Sequence, residues 1–270
     1  MTQRLPTYYI SHGGGPWPYM PEMRTPMRLL AESLADMPRQ LGVTPKAILM
    51  VSAHWEEASF TVMANAHPPM LYDYSGFPPH TYSVVYPAPG DPTLALHVQD
   101  LLQAAHLPTA RDTQRGFDHG AFAPLAVIYP QAQVPVVQLS LKHGLDPAEH
   151  LAAGRALASL RDEGVLIVGS GLSYHNLRQF GPPAKAPSQA FDAWLQATMA
   201  SDPTAREAAV ARWEAAPAAR LCHPREEHLL PLMVALGAAH ADPATCIYHE
   251  DNIFGGVTAS SFRFDAEAVG

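Results

Sequence analysis

The chain has 270 residues, 47% apolar and 16% charged, enough material for one large or two small domains around a full hydrophobic core. Its formal net charge of −8, with no Lys/Arg run, argues against a nucleic-acid partner, because polyanion binding needs a basic face. Two cysteines, Cys222 and Cys246, cannot make a disulfide framework, no leader-like apolar region opens the chain, and no stretch nears the roughly 18 residues of a membrane span; free thiols, a cytoplasmic location and no membrane partner are expected.

Aliphatic runs alternate with Ala- and Leu-rich stretches from end to end, the pattern of an α/β layer fold. Tyr8-Tyr9-Ile10 predicts the first strand, closed by Ser11-His12 and a Gly13-Gly14-Gly15-Pro16 turn. Met27 to Leu41 predicts a helix with Leu29, Leu30, Leu34 and Met37 on one stripe. Ile48 to Val51 predicts a strand ending in Ser52-Ala53-His54, and Phe60 to Met63 another. Residues 67–92 carry Pro68, Pro69, Pro78, Pro79, Pro87, Pro89 and Pro92, which deny backbone donors to helix or sheet, so a long structured loop is expected there.

A helix over 92–105 follows, with Leu94, Val98, Leu101 and Leu102 at helical spacing, and then a loop with Gly116-Phe117-Asp118-His119-Gly120 leading into a helix at 121–129. Strand 134–141 precedes helix 147–162. The strand Val165 to Val168 opens Gly169-Ser170-Gly171-Leu172-Ser173-Tyr174-His175. Polar loop 181–188 leads to helices at 189–199 and 203–215. Pro224 stands at a predicted first helical position with Glu226 and Glu227 in the first turn, and that helix carries His228 and the apolar run from Leu229 to Leu236. Strands near 245–249 and 260–264 finish the sheet. The expectation is a single α/β domain over 1–270, with a central, mostly parallel or mixed sheet flanked by helices. Its site should lie at the carboxyl ends of the strands, where open α/β sheets collect ligands.

A lone histidine at a strand end is more often a satisfied hydrogen-bonding group than a ligand. Here His12 and His54 follow strand-like runs closed by a small residue, and His175 stands five residues beyond Ser170, so three strands deliver imidazoles to one rim. Imidazole suits Zn, Cu, Fe and Ni, which makes that rim a candidate metal site. His228 is balanced between pairing with its glutamates at the surface and a half-buried face. His119 reads equally as a mobile acid/base or a solvated loop residue. His80, His143, His223 and His249 rank lower, and His67, His97, His106, His150 and His240 take the structural reading. No H-E-x-x-H spacing or flanking Cys pair occurs, so the fold must assemble the site. The Gly169-Ser170-Gly171 spacing is wrong for a nucleophile elbow, which disfavours a serine hydrolase.

Ser11-His12-Gly13-Gly14-Gly15-Pro16, Ser52-Ala53-His54-Trp55, Tyr86-Pro87-Ala88-Pro89-Gly90, Phe117-Asp118-His119-Gly120, Gly169-Ser170-Gly171 to His175-Asn176-Leu177, and Glu227-His228-Leu229-Leu230-Pro231-Leu232 lie in order from residue 11 to 232. As a set they resemble the class III extradiol ring-cleavage dioxygenases of the LigB superfamily, in the DODA-type branch named for DOPA dioxygenase. The resemblance implies that His12, His54 and His228 bind one metal ion. His175 is then a fourth ligand or an acid/base at its edge, and His119 the loop histidine that contacts substrate and moves protons. In the wider group the helix ligand is a glutamate, whereas the matching position here is His228. Three neutral imidazoles favour a chelating catecholate, and they also suit tetrahedral zinc. Fe(II) is expected for activity, since zinc has no redox chemistry for O2, and Zn(II) is an ion the same site could hold.

The implied activity is oxidative ring opening of a small catechol by O2, with Trp17, Tyr82 and the 67–92 loop as expected walls. Two alternatives remain open: a zinc-dependent hydrolase using the same histidines around an activated water, and a Memo-like non-enzymatic binding protein of similar fold. Oligomeric state is left open.

Overall fold

The structure is a computed structural model and describes residues 4–265. In chain order its elements are β1 (Thr7–Ser11), α1 (Arg28–Leu41), β2 (Ala47–Glu57), β3 (Phe60–Met63), α2 (Pro92–Ala104), β4 (Thr109–Asp112), α3 (His119–Ile128), β5 (Val136–Lys142), α4 (Pro147–Leu157), β6 (Val165–Gly171), α5 (Lys185–Met199), α6 (Pro203–Ala211), α7 (Ala219–Cys222), α8 (Leu230–Ala239), β7 (Ala244–Ile253) and β8 (Val257–Phe264). One eight-stranded sheet runs β4-β3-β5-β2-β6-β1-β8-β7. Its centre, β5-β2-β6-β1, is parallel. Antiparallel pairs join β3 to β5 and β8 to β1 and β7, so the sheet is mixed.

The central strands read as unbroken aliphatic runs because both faces are covered. Leu49, Met50, Val51, Leu166 and Ile167 are buried in the core. Neighbouring residues on β6 reveal the two layers, since successive side chains of a strand point to opposite faces. Ser170 Oγ donates to the Gly120 carbonyl of α3 on one face. On the other, Gly169 and Gly171 lie so close to the chain leading into α8 that an added Cβ would stand 2.2 Å from the Pro231 carbonyl oxygen and 2.0 Å from that of His228. Helix α8 is buried on every side, which explains why its sequence carries no polar face.

Asp-Pro pairs open three helices. The carboxylates of Asp91, Asp146 and Asp202 accept backbone N–H groups in the first turns of α2, α4 and α6, and the following prolines need no partner there. Asp118 caps α3 in the same way without a proline.

The structure differs from the sequence-based expectation at several elements. Leu29 is 39% exposed and leaves the α1 stripe, which is made by Leu30, Leu34, Met37 and Leu41. Strand β4, Thr-Ala-Arg-Asp on the sheet edge beside β3, is too short and polar to announce itself. Short α7 had no pattern either, and α5 begins at Lys185 inside the expected polar loop. The helix expected from Pro224 starts at Leu230, with Pro231 as the proline of its first turn. The amides of Leu229 and Leu230 both bond the Glu226 carbonyl, at 2.8 and 3.1 Å, so Glu227 and His228 lie in a turn before α8. Helix 147–162 ends at Leu157 and continues as a 3-10 turn, and helix 203–215 breaks after Ala211.

The proline-rich segment 67–92 is held by its phenols. Tyr72, Tyr74 and Tyr86 donate their hydroxyls to the carbonyls of Val84, Thr81 and Tyr129 at 2.9, 2.6 and 2.9 Å. These bonds replace the backbone donors that proline removes.

Candidate active site

Five histidines converge above the carboxyl ends of the central strands. His12 follows β1 directly, and its amide donates to the Gly171 carbonyl of β6 at 3.1 Å. His54 lies where the β2–β5 ladder shifts register between Val51 and Glu56, a bulge that re-aims side chains at a sheet end. His119 is the first residue of α3. A Cβ on the next residue, Gly120, would stand 2.4 Å from Ser52 Oγ and 2.9 Å from the His54 ring, so only glycine lets α3 start this close to β2. His175 is fixed by its amide on the Cys222 carbonyl at 2.9 Å. The His228 turn is pinned through its carbonyl, which accepts from the Tyr9 hydroxyl at 2.9 Å and the Leu172 amide at 3.1 Å.

The ring centroid of His12 is 4.9 Å from that of His54, 5.3 Å from that of His119 and 5.2 Å from that of His228. His54 and His119 are 3.9 Å apart, and His175 stacks on His228 at 3.3 Å with the planes 17° from parallel. Ligand atoms of His12, His54 and His119 all lie within 4.8 Å of one another, as do those of His175, Glu227 and His228. The two groups meet where His54 Nε2 stands 3.2 Å from His228 Nε2.

Two carboxylates decide which nitrogens face inward. Glu227 Oε1 accepts from Nδ1 of His228 at 2.9 Å and from Nδ1 of His175 at 3.0 Å. Asp73 Oδ1 accepts the backbone amide of His119 at 3.0 Å and its Nδ1 at 2.9 Å, while Oδ2 lies 3.4 Å from Nδ1 of His54. A neutral imidazole that donates from Nδ1 has a bare lone pair on Nε2. Nε2 of His228 therefore turns a bare lone pair toward His54 Nε2, and Asp73 Oδ2 beside His54 Nδ1 favours the tautomer that bares His54 Nε2 as well, an arrangement suited to a cation between or beside them. His12 adds a third buried imidazole, neither of whose nitrogens has a hydrogen-bond partner among the described residues. Nitrogens bound about 2.0–2.1 Å from one tetrahedral ion are separated by a little over 3 Å, so the 3.2 Å contact fits a shared metal.

Burial and neighbouring charge keep these rings neutral. His12, His54 and His228 are all held well below the ordinary imidazole value. Burial is the main cause for each, followed by charge repulsion from His119 for the first two and from His175 for the third. Burial pushes the Glu227 carboxyl up, yet the His175 hydrogen bond and the Arg225 charge carry it below its usual value.

A cavity of about 440 Å³ opens over the cluster, within the range of small-molecule sites. All five histidines line it, as do Asp73, Tyr74 and Phe77 of the proline-rich loop. Trp17 lies outside the lining. Its Nε1 donates to the His12 carbonyl at 2.7 Å and packs beneath Gly13, whose φ of +77° and lack of a Cβ make the approach possible. Tyr82 also stands back from the cavity, with its ring 5.3 Å from Tyr74 and its hydroxyl accepting the Phe77 amide at 3.3 Å. His80, His143, His223 and His249 are likewise not part of the wall.

Three acids that hold the site escaped the sequence reading. Asp73 had no local pattern. From sequence Glu227 takes the place of a helix-dipole acid, although a carboxylate beside a candidate ligand histidine is itself a cue. Asp118 is buried and accepts from Ser52 Oγ at 2.6 Å, Arg115 at 2.8 Å and Gln138 at 2.8 Å, bracing the start of α3 against β2.

The model for the catalytic LigB subunit of aromatic ring-opening dioxygenase matches residues 6–265. The chain is 38% identical to the 4,5-DOPA dioxygenase extradiol of Beta vulgaris, over 96% of each protein. It is 36% identical to the dioxygenase tasH of Hapsidospora irregularis, over 91% of this chain and 82% of that one. The 4,5-DOPA dioxygenase extradiol of Escherichia coli (strain K12) is also 36% identical, over 87% and 85%. The crystal structure of an uncharacterized protein from Escherichia coli K12 superimposes with a TM-score of 0.79 at 31% identity, covering 97% of this chain and 100% of that one.

Proposed function

The chain belongs to the LigB family of aromatic ring-opening dioxygenases and is a metal-dependent extradiol dioxygenase acting on a catechol-type ring with O2; from that premise we propose that His12, His54 and His228 hold one Fe(II) ion, with His175 at its edge and His119 moving the proton. The observation that carries the ligand assignment is the 3.2 Å approach of His54 Nε2 to His228 Nε2 beside the unpartnered His12 ring. The family and the dioxygenases among its relatives disfavour the zinc-hydrolase and Memo-like alternatives. Among the described residues no helix is long and apolar enough to cross a membrane. The free thiols Cys222 and Cys246 support a cytoplasmic setting.

When bound, Fe(II) supplies chelation of the diol, acidification of its hydroxyls and electrons for O2, the last of which zinc lacks. The chain's own residues do the rest. Glu227 fixes the tautomer that turns Nε2 of His228 inward, and Asp73 does the same for His119. With Nδ1 committed to Asp73, His119 offers Nε2 to a substrate hydroxyl, takes its proton and returns it later, while the Asp73 carboxylate steadies the imidazolium. Parallel stacked rings cannot both aim a lone pair at one point about 2.0–2.1 Å away, which supports His175 as an acid/base beside the ion and outside the ligand set. The apolar walls limit water at the reacting ring.

The test is anaerobic loading with Fe(II) or Zn(II), followed by oxygen uptake on a catechol panel. Fe(II) protein should give a yellow ring-opened product with stoichiometric oxygen consumption, and zinc protein none. Absence of product at verified Fe(II) occupancy would reverse the assignment.

A further inference from the structure

We propose that this cavity selects catechols whose ring substituent is an uncharged apolar group, and discriminates against side chains that carry a carboxylate or an ammonium. The inference rests on the catechol reading above and deepens it, because the histidines take the diol and the rest of the cavity must take whatever else the ring bears.

That remainder is apolar from two directions. Met23, Met27 and Leu30 come from α1 and the turn before it, and Ile253, Phe254 and Val257 from the β7–β8 hairpin. Among the described residues no lysine or arginine is part of the lining. Among the described residues its one aspartate, Asp73, gives Oδ1 to the amide and ring of His119, while Oδ2 lies 3.4 Å from His54 Nδ1. The lining phenols are committed as well: Tyr74 donates to the Thr81 carbonyl at 2.6 Å and Tyr248 to Glu250 Oε2 at 2.9 Å. A carboxylate on the substrate would be stripped of water and meet no lysine or arginine of the lining, and an ammonium would have to share Asp73 with the His119 ring and amide that already bond it. Burying an unpaired charge is far costlier than leaving it in water, whereas each methylene placed on such a wall gains about fourfold in affinity. The methionines add adaptability, since an unbranched thioether follows the shape of alkyl and aryl groups alike. Phe254, 49% exposed at the cavity mouth with its ring 6.1 Å from that of Phe180, extends the apolar surface to the entrance.

The discriminating probes are 4-methyl-, 4-propyl- and 4-pentylcatechol against DOPA, whose side chain bears both charges. Binding is measured by anaerobic isothermal titration on Fe(II)- and Zn(II)-loaded protein, and kcat/KM by oxygen uptake on the Fe(II) form. Affinity should rise about fourfold per methylene along the series, with DOPA at least 100-fold weaker than 4-pentylcatechol. Phe254→Arg, at the exposed mouth, should move the DOPA to 4-pentylcatechol ratio at least tenfold toward DOPA with metal content unchanged. A flat alkyl series, DOPA binding as tightly as the alkylcatechols, binding of none of the probes, or an unmoved ratio in Phe254→Arg overturns the selectivity. Turnover of no catechol at verified Fe(II) occupancy defeats the dioxygenase reading instead, and the order of binding constants still decides this one.

Discussion

Asp73 and Glu227 each hold two imidazoles, but from different distances along the chain and with different geometry. Glu227 is the immediate neighbour of His228 and uses one oxygen, Oε1, for both His228 and His175; its other oxygen lies 3.6 Å from Arg225. Asp73 reaches His119 across 46 residues, gives one oxygen to that residue's ring and amide, and turns the other to His54. The Glu227 side is thus a stacked, locally encoded pair beside the proposed ligand His228. The Asp73 side is a long-range clamp whose register depends on the proline-rich loop. The difference suggests a division of labour, with Glu227 guarding metal retention and Asp73 guarding the proton-moving histidine.

The most drastic break is at the three proposed ligands, of which His54 and His228 stand beside these carboxylates and His12 beside neither. His12→Ala, His54→Ala and His228→Ala should each lose most of the metal and with it the activity, measured by metal analysis after dialysis; near-full occupancy in any of them removes that residue from the ligand set. His119→Ala should keep its metal and lose about 10²- to 10⁴-fold in kcat, the range of a general acid/base. If it loses the ion as fully as His12→Ala, it is a ligand. The two carboxylates should then separate: Glu227→Gln is expected to weaken metal affinity about 10- to 100-fold, while Asp73→Asn leaves affinity within a few-fold and lowers kcat by about tenfold. Chelator competition and steady-state rates measure both, and identical profiles would erase the distinction.

The smallest effect concerns a buried histidine that neither carboxylate hydrogen-bonds. His223 Nε2 donates to the Ser173 carbonyl at 3.0 Å, and burial lowers its pKa to about 4. Its folded value lies below its unfolded one, so the unfolded chain binds the extra proton first. Stability is therefore unaffected above about pH 6.5 and falls as pH drops from there toward 4, by on the order of 3 kcal/mol for this residue. Urea titrations of metal-free protein at pH 7, 6 and 5 should show a shallower decline in His223→Gln than in the parent; equal slopes would contradict the assignment.

What could be read in the residues follows the range of the interaction that fixes them. The positions of His12 and His54 are legible because an apolar run, a small residue and a histidine are local, and strand ends in α/β sheets share a rim. Leu29 shows the limit of periodicity: it fits a helical stripe in sequence but faces solvent where α1 meets its neighbours. The turn at His228 depends on two amides sharing the Glu226 carbonyl and on the absent side chain of Gly171, neither of which a proline and two acids at 224–227 reveal. Asp73 was illegible because its partners lie far along the chain, in a segment whose composition announces only a loop. Trp17 and Tyr82 are aromatic residues near the site in sequence, yet their polar atoms are used to brace the backbone behind it.

The antiparallel β7–β8 hairpin at the edge of the sheet contributes Ile253, Phe254 and Val257 to the cavity but none of its five histidines. Chemistry and fit are thereby written into separate stretches of polypeptide. Replacing the tip of one hairpin amounts to changing a removable die while the press stays in place, and offers a route to retarget ring cleavage by exchanging a few consecutive residues.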